Sequence, residues 1–250
     1  MTPPINRSAA NAVMALAVLV GGGSLLLFGA FLVLGPFAGI RVTGSESHAL
    51  IWDGVISAAF FLQHSGMIRE SFRRRLSAWI PLPYHPAVYA IASGAALAAV
   101  VLLWQTSPTV VWSAPGPLRL LPRAAAVLAV VGFVWGVRAL RVFDPFGRLS
   151  LRAPLRGRPD PSPALTLRGP YLWVRHPLYA CMLLLIWSTP DMSPDRLCFN
   201  VLWTAWIVAG THLEERDLVA EFGDRYRRYQ QTVPMLLPWR RPAGHRLQNS

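Results

Sequence analysis

Between Arg168 and Pro238 one continuous block carries Gly169-Pro170-Tyr171, Arg175-His176-Pro177-Leu178-Tyr179, the acidic pair Glu214-Glu215, and the spaced tyrosines Tyr226 and Tyr229. These residue types suit a ligand bearing both signs of charge. A carboxylate such as Glu214 pairs with an ammonium, while Arg175, His176 or N–H groups at a helix start hold a carboxylate or hydroxyl. The competing reading gives Arg175 and Arg216 to lipid phosphate and leaves Glu214 and Glu215 solvated at a helix end; spacing alone leaves both open. A second group, Gln63-His64-Ser65 with Asp53 upstream, sets polar atoms in an apolar run. Such groups are costly at membrane depth unless they face protein, water or a ligand. His64 is therefore either a site residue or a helix-end histidine at headgroup level. Cys181 and Cys198 are the two cysteines; they read as small packing residues, and no metal site is expected.

Positioning these groups takes two helices. Pro177 can open a helix because its missing N–H is no loss in a first turn. An apolar run follows to Trp187, Pro190 and the Ser-Thr-Pro-Asp cluster force a turn, and the chain returns over about residues 197–213 to reach Glu214 and Glu215. Elements joined by a short turn are neighbours, so His176 and Glu214 are expected side by side.

The rest of the chain says what surrounds those helices. Hydrophobic residues make up 53% and charged residues only 14% of the 250 positions, which sets the chain apart from ordinary soluble domains. Six apolar segments, at about 12–34, 50–68, 87–104, 120–140, 177–189 and 197–213, predict an all-α polytopic membrane bundle. A spanning helix needs about 20 apolar residues, so the fifth is short, and the last two are expected to form a shallow C-terminal hairpin followed by a cytoplasmic tail. The first segment is too long for a signal-peptide core and lacks a clear cleavage site. Its glycines 21–23 and 29 allow close helix approach or mark loose packing.

Every basic residue is an arginine, and the net charge is +12. Arginines crowd residues 69–75, 138–175 and 216–246, whereas the opposite loops hold only Arg41, Arg119, Arg123 and Arg196. The positive-inside rule then predicts six passes with both termini cytoplasmic. Contact with anionic lipid accounts for the charge, and nucleic-acid binding is not expected. One membrane domain follows, with a four-helix portion at 12–140, a cytoplasmic Arg/Pro-rich loop at 141–168 that is either a cover or a connector, and a cofactor-binding hairpin and tail at 169–238.

The C-terminal motifs, with Leu213-Glu214-Glu215-Arg216-Asp217-Leu218, Phe222-Gly223 and Val233-Pro234, resemble the signature of integral-membrane methyltransferases related to isoprenylcysteine carboxyl methyltransferase and phospholipid methyltransferases. Gln63-His64-Ser65-Gly66-Met67, Phe143-Asp144-Pro145-Phe146-Gly147, Ser188-Thr189-Pro190-Asp191-Met192 and Pro234-Met235-Leu236-Leu237-Pro238 narrow the resemblance to the bacterial methanethiol S-methyltransferase branch and its NnrU-like relatives. It implies an enzyme of the inner membrane that uses S-adenosylmethionine without a Rossmann domain. His176, Tyr179 and Glu214 are then expected to contact the cofactor first, with Arg175, Glu215, Tyr226 and Tyr229 next. Gln63, His64 and Asp144 are expected on the acceptor side, and His64, His176 and Asp144 are the candidates for catalysis. The implied acceptor is a small thiol; a prenylcysteine carboxylate, a lipid amine, or a non-catalytic accessory role are the alternatives.

Overall fold

The computed structural model describes residues 6–37, 40–140, 142–157 and 165–243. In chain order the helices are α1 (Arg7–Ala17), α2 (Gly23–Leu34), α3 (Glu46–Ile68), α4 (Glu70–Leu76), α5 (His85–Leu103), α6 (Leu120–Ala139), α7 (Arg148–Leu155), α8 (Pro177–Trp187), α9 (Pro194–Phe222) and α10 (Asp224–Thr232). Two short strands, β1 (Trp112–Ser113) and β2 (Asp191–Met192), pair antiparallel with Trp112 opposite Met192. Three stretches are long and apolar enough to cross a membrane: Arg7–Leu34, Leu82–Leu103 and Gly116–Ala139. The chain forms two compact units, Met1–Ser107 with Asp144–Pro163, and Pro108–Phe143 with Ala164–Ser250.

In the first unit, Asn6 starts α1 by accepting a hydrogen bond from the Ser8 N–H at 2.9 Å. A π-helical turn at Val18–Gly22 carries the chain into α2 without a break. Here the glycines are not loosely packed throughout. A Cβ on Gly94 of α5 would stand 2.9 Å from the Gly21 Cα, so the two backbones touch, whereas Gly23 and Gly29 face open space. Around this crossing Ala10, Met14, Ala17, Ala87, Ala90 and Leu151 form a buried core of mostly small side chains, which is what close helix approach requires.

Residues 141–168 were expected to form a loop, yet Arg148–Leu155 is helical. Asp144 explains it: its Oδ1 accepts from the Arg148 N–H at 2.8 Å and its Oδ2 from the Leu149 N–H at 2.6 Å, satisfying first-turn donors that have no partner inside the helix. Residues 158–164 of that strip lie outside the described ones.

In the second unit, α8 lies against α6 at very short range. A Cβ on Gly132 would meet the Cys181 sulfur at 2.8 Å, and one on Gly136 would meet Leu178 Cδ2 at 2.6 Å. Helix α8 has 11 residues and rises only about 16 Å, half of a bilayer core. Helix α9 corrects the expectation of an end near residue 213: it runs 29 residues, to Phe222, and stops where Gly223 takes φ 56°. Glu214 and Glu215 are thus interior helix residues. Helix α10 then folds back, burying Tyr226 and Tyr229 with Val233 and Ala243.

Candidate functional site

The start of α8 is built by the tail. The N–H groups of Arg175 and His176 donate to the carbonyls of Pro234 and Met235 at 2.9 and 3.1 Å, so they are not open to a ligand carboxylate. The Arg175 guanidinium is equally committed. Its Nε and Nη2 grip both oxygens of Glu215 at 2.6 and 3.0 Å, and its Nη1 donates to the carbonyls of Gln230 at 3.0 Å and of Val233. Such a bidentate pair is both strong and geometrically selective.

Glu215 collects the remaining polar groups. His176 Nε2 lies 3.2 Å from its Oε1, the Tyr226 hydroxyl donates to the same oxygen at 3.3 Å, and the Gln230 amide donates to Oε2 at 2.9 Å. Burial by itself raises the Glu215 carboxyl; the bonds from His176 and Arg175, the Arg175 charge and the Gln230 bond outweigh it and hold the group well below the usual carboxylate range. Burial also raises the Tyr226 and Tyr229 hydroxyls, and Tyr229 donates to the Tyr171 carbonyl at 2.5 Å. Burial, then the Glu214 charge, push Tyr171 up to about 12.

His176 therefore meets Glu215 by hydrogen bond and Glu214 only at 4.0 Å, through Nδ1. His176 and Glu214, expected side by side, do approach each other; one step along a helix turns a side chain by 100°, and the rotation of α9 gives the hydrogen bond to Glu215. Arg175, Glu215, Tyr226 and Tyr229, expected around a cofactor, direct their polar atoms at one another and at backbone carbonyls. Glu214 differs from them: its side chain is 44% exposed, and among the described residues it makes no hydrogen bond. Tyr179, 38% exposed, stacks on His176 with ring centroids 5.7 Å apart. On the adjoining face of α9 opens a hollow of about 710 Å³ lined by His212, Leu213, Glu215, Arg216 and Gln230 among others. Sequence reasoning missed Gln230 and His212; nothing in their spacing sets either apart from the other polar residues around them.

In the first unit, Tyr89 of α5 reaches across to His64, its hydroxyl 2.7 Å from Nε2 and 3.1 Å from Nδ1. Gln63 donates to Met67 Sδ at 2.8 Å and to Ser93 at 3.4 Å. The Gln63 Oε1 is buried and makes no hydrogen bond among the described residues. Tyr89 and Ser93 were not foreseen, although their spacing of four puts them on one face of α5. Asp144, just before α7, has both oxygens occupied by the backbone of its first turn.

Apolar helices ending in a buried cluster of arginine, histidine and glutamate define an integral-membrane helical protein with a polar site at one helix end. Over 197 residues the chain is 36% identical to the methanethiol S-methyltransferase of Pseudomonas sp. (strain GM41(2012)), covering 77% of this chain and 74% of that protein. It is 31% identical over 192 residues to the methanethiol S-methyltransferase of Mycobacterium tuberculosis (strain ATCC 25618 / H37Rv), covering 76% and 79%. Nurim of Mus musculus is 27% identical over 182 residues, 68% of each chain. Residues 87–162 match a family of unknown function, DUF6332, and no solved structure matches. The chain belongs to the membrane methyltransferase family whose members carry the name methanethiol S-methyltransferase.

Proposed function

We propose that this chain transfers the methyl group of S-adenosylmethionine to the sulfur of a small thiol, methanethiol being the thiol in its relatives' names. The observation that carries the reading is the edge of the α8 cluster, where an exposed carboxylate, Glu214, stands beside the stacked rings of His176 and Tyr179. A carboxylate without a hydrogen bond among the described residues, next to a partly exposed aromatic ring, fits a cation joined to a flat heterocycle, and the adjoining hollow lies within the volume range of small-molecule sites. When bound, the cofactor supplies a methyl group on a positively charged sulfur. Glu214, His176 and Tyr179 hold it; Arg175, Glu215, Tyr226 and Tyr229 fix the base of α8 behind them.

On the acceptor side, Gln63 and His64 handle the thiol. The buried Gln63 Oε1 accepts a weak S–H bond, and His64, hydrogen-bonded to Tyr89, takes the proton. A thiol of pKa about 8.5 or higher needs such help at neutral pH. Shielding from water strengthens the attraction between a thiolate and a cationic methyl donor. Asp144 contributes by ordering α7. The topology proposed is six passes with both termini cytoplasmic, α8 and α9 forming the shallow hairpin.

Purified protein given labelled S-adenosylmethionine and methanethiol is expected to release labelled dimethyl sulfide into the headspace. No volatile label, or label recovered in the lipid fraction, would overturn this reading.

A further inference from the structure

A hollow of about 460 Å³ opens in the first unit where α1 meets α7, walled by Met14, Ala15, Val18 and Leu19 and edged by Asn11, Arg148 and Arg152. Its polarity is graded along α1. Asn11 stands at one end, and Val18 and Leu19 at the other, a rise of about 12 Å. Arg148 and Arg152 are four residues apart on α7 and so project from one face of it. Among the described residues neither guanidinium makes a hydrogen bond or an ion pair, and no carboxylate lines the hollow. Asp144, the nearest acid in sequence, spends both oxygens on backbone N–H groups.

Two guanidinium groups along the rim of a largely apolar slot describe the complement of an amphiphile with an anionic head. The slot is part of the apolar stretch Arg7–Leu34, where Leu19 is 72% exposed, so its apolar end faces the membrane side of the helix. A free phosphate has no use for the wall of Val18 and Leu19. A zwitterionic lipid also carries a phosphate, but its own ammonium group neutralises that charge and brings a cation against the two guanidinium groups. We infer that this groove holds an anionic glycerophospholipid, its phosphate gripped by Arg148 and Arg152 and one acyl chain laid along α1 at the π-helical turn. Charge complementarity selects the head, and the graded wall selects the chain.

The test is native mass spectrometry of the full chain in detergent with phosphatidylglycerol, with phosphatidylcholine, and with inorganic phosphate. The parent should retain phosphatidylglycerol at least tenfold better than phosphatidylcholine. R148Q/R152Q should abolish that preference. Ala15→Trp, which fills the groove and keeps both arginines, should lose the lipid as well. R73Q/R74Q, on exposed α4, should leave binding unchanged, and thermal unfolding reports whether each variant is folded. Equal retention of both lipids, survival of the preference in folded R148Q/R152Q, or its loss in R73Q/R74Q would overturn the proposal. Inorganic phosphate binding that persists in Ala15→Trp would make the arginines a phosphate site and overturn the lipid assignment too.

Discussion

Glu214 and Glu215 are neighbours in sequence with opposite circumstances, and the contrast makes the site testable one residue at a time. Glu215 is an ionised group with every lone pair engaged, so Arg175→Ala strands a buried charge and should cost about 3 kcal/mol of stability, measured by unfolding in micelles. Arg175→Lys should recover only part, since an ammonium cannot grip both oxygens. Glu214→Gln should leave the unfolding transition in place while weakening S-adenosylmethionine binding at least tenfold, about 1.4 kcal/mol, by calorimetry. An unchanged affinity would remove Glu214 from the site. The acid response follows from the depressed Glu215 carboxyl. An unfolded glutamate titrates near about 4.3, so the stability this group contributes is complete above that pH and drains away as pH falls toward the folded value. The parent should thus lose stability below about pH 4.3 more steeply than Glu215→Gln, which lacks the titrating group. The motifs brought His176 and the acidic pair together, but which acid takes the hydrogen bond from His176 depends on helix rotation, which residue types do not reveal. Gln63 and His64 were legible as polar intruders; Tyr89 and Ser93 were hidden because a tyrosine and a serine do not stand out in an apolar helix.

At the scale of elements, helix positions were readable from apolar runs flanked by Pro and Gly, and helix ends were not. Helix α9 was expected to stop at its charged residues, yet Glu214 through Asp217 continue it to Gly223, because charge ends an apolar run and not the helix itself. Helix α7 was obscured by its arginines and by Pro154; its cue was Asp144 placed four residues before Arg148. Asp144→Ala should therefore cost about 1 kcal/mol, visible as faster amide exchange over residues 148–155. The α6–α8 contact went unread although Gly132-Phe133-Val134-Trp135-Gly136 has the small-residue spacing that lets membrane helices touch. Gly136→Ala must push aside Leu178 Cδ2 and should destabilise by about 1–3 kcal/mol. Pairing it with Leu178→Ala should return part of that loss, a coupling that a double-mutant cycle measures.

Across the whole molecule, the distribution of arginine is the basis of the proposed topology, and each unit sorts its own. In the first unit, Gln105 donates to the Ile40 carbonyl and accepts from the Val42 N–H at 2.9 Å each, closing one end where Arg41 is the nearby cation. At its other end, a Cβ on Gly147 would meet the Ala87 N at 2.5 Å, and Arg148, Arg152 and Arg156 gather there. In the second unit, Arg119 pairs with Asp191 at 2.5 Å beside the β1–β2 ladder, so a cation of the arginine-poor end is already neutralised. Arg168 of the opposite end donates to the Ala139 carbonyl at 2.7 Å, alongside Arg138, Arg175 and the tail. Under the proposed topology the positive-inside rule puts Ser107 and Ser113 outside and Ser77 and Ser150 inside. Single cysteines in a Cys181→Ser, Cys198→Ser background check it with an impermeant thiol reagent. Ser107→Cys and Ser113→Cys should react in intact cells, while Ser77→Cys and Ser150→Cys should react only in inverted vesicles. Labelling of Ser150→Cys from outside would reverse the arginine-rich end of the first unit and with it the six-pass topology. Labelling of both pairs from one side would mean that neither Leu82–Leu103 nor Gly116–Ala139 crosses the membrane and would overturn the proposed topology.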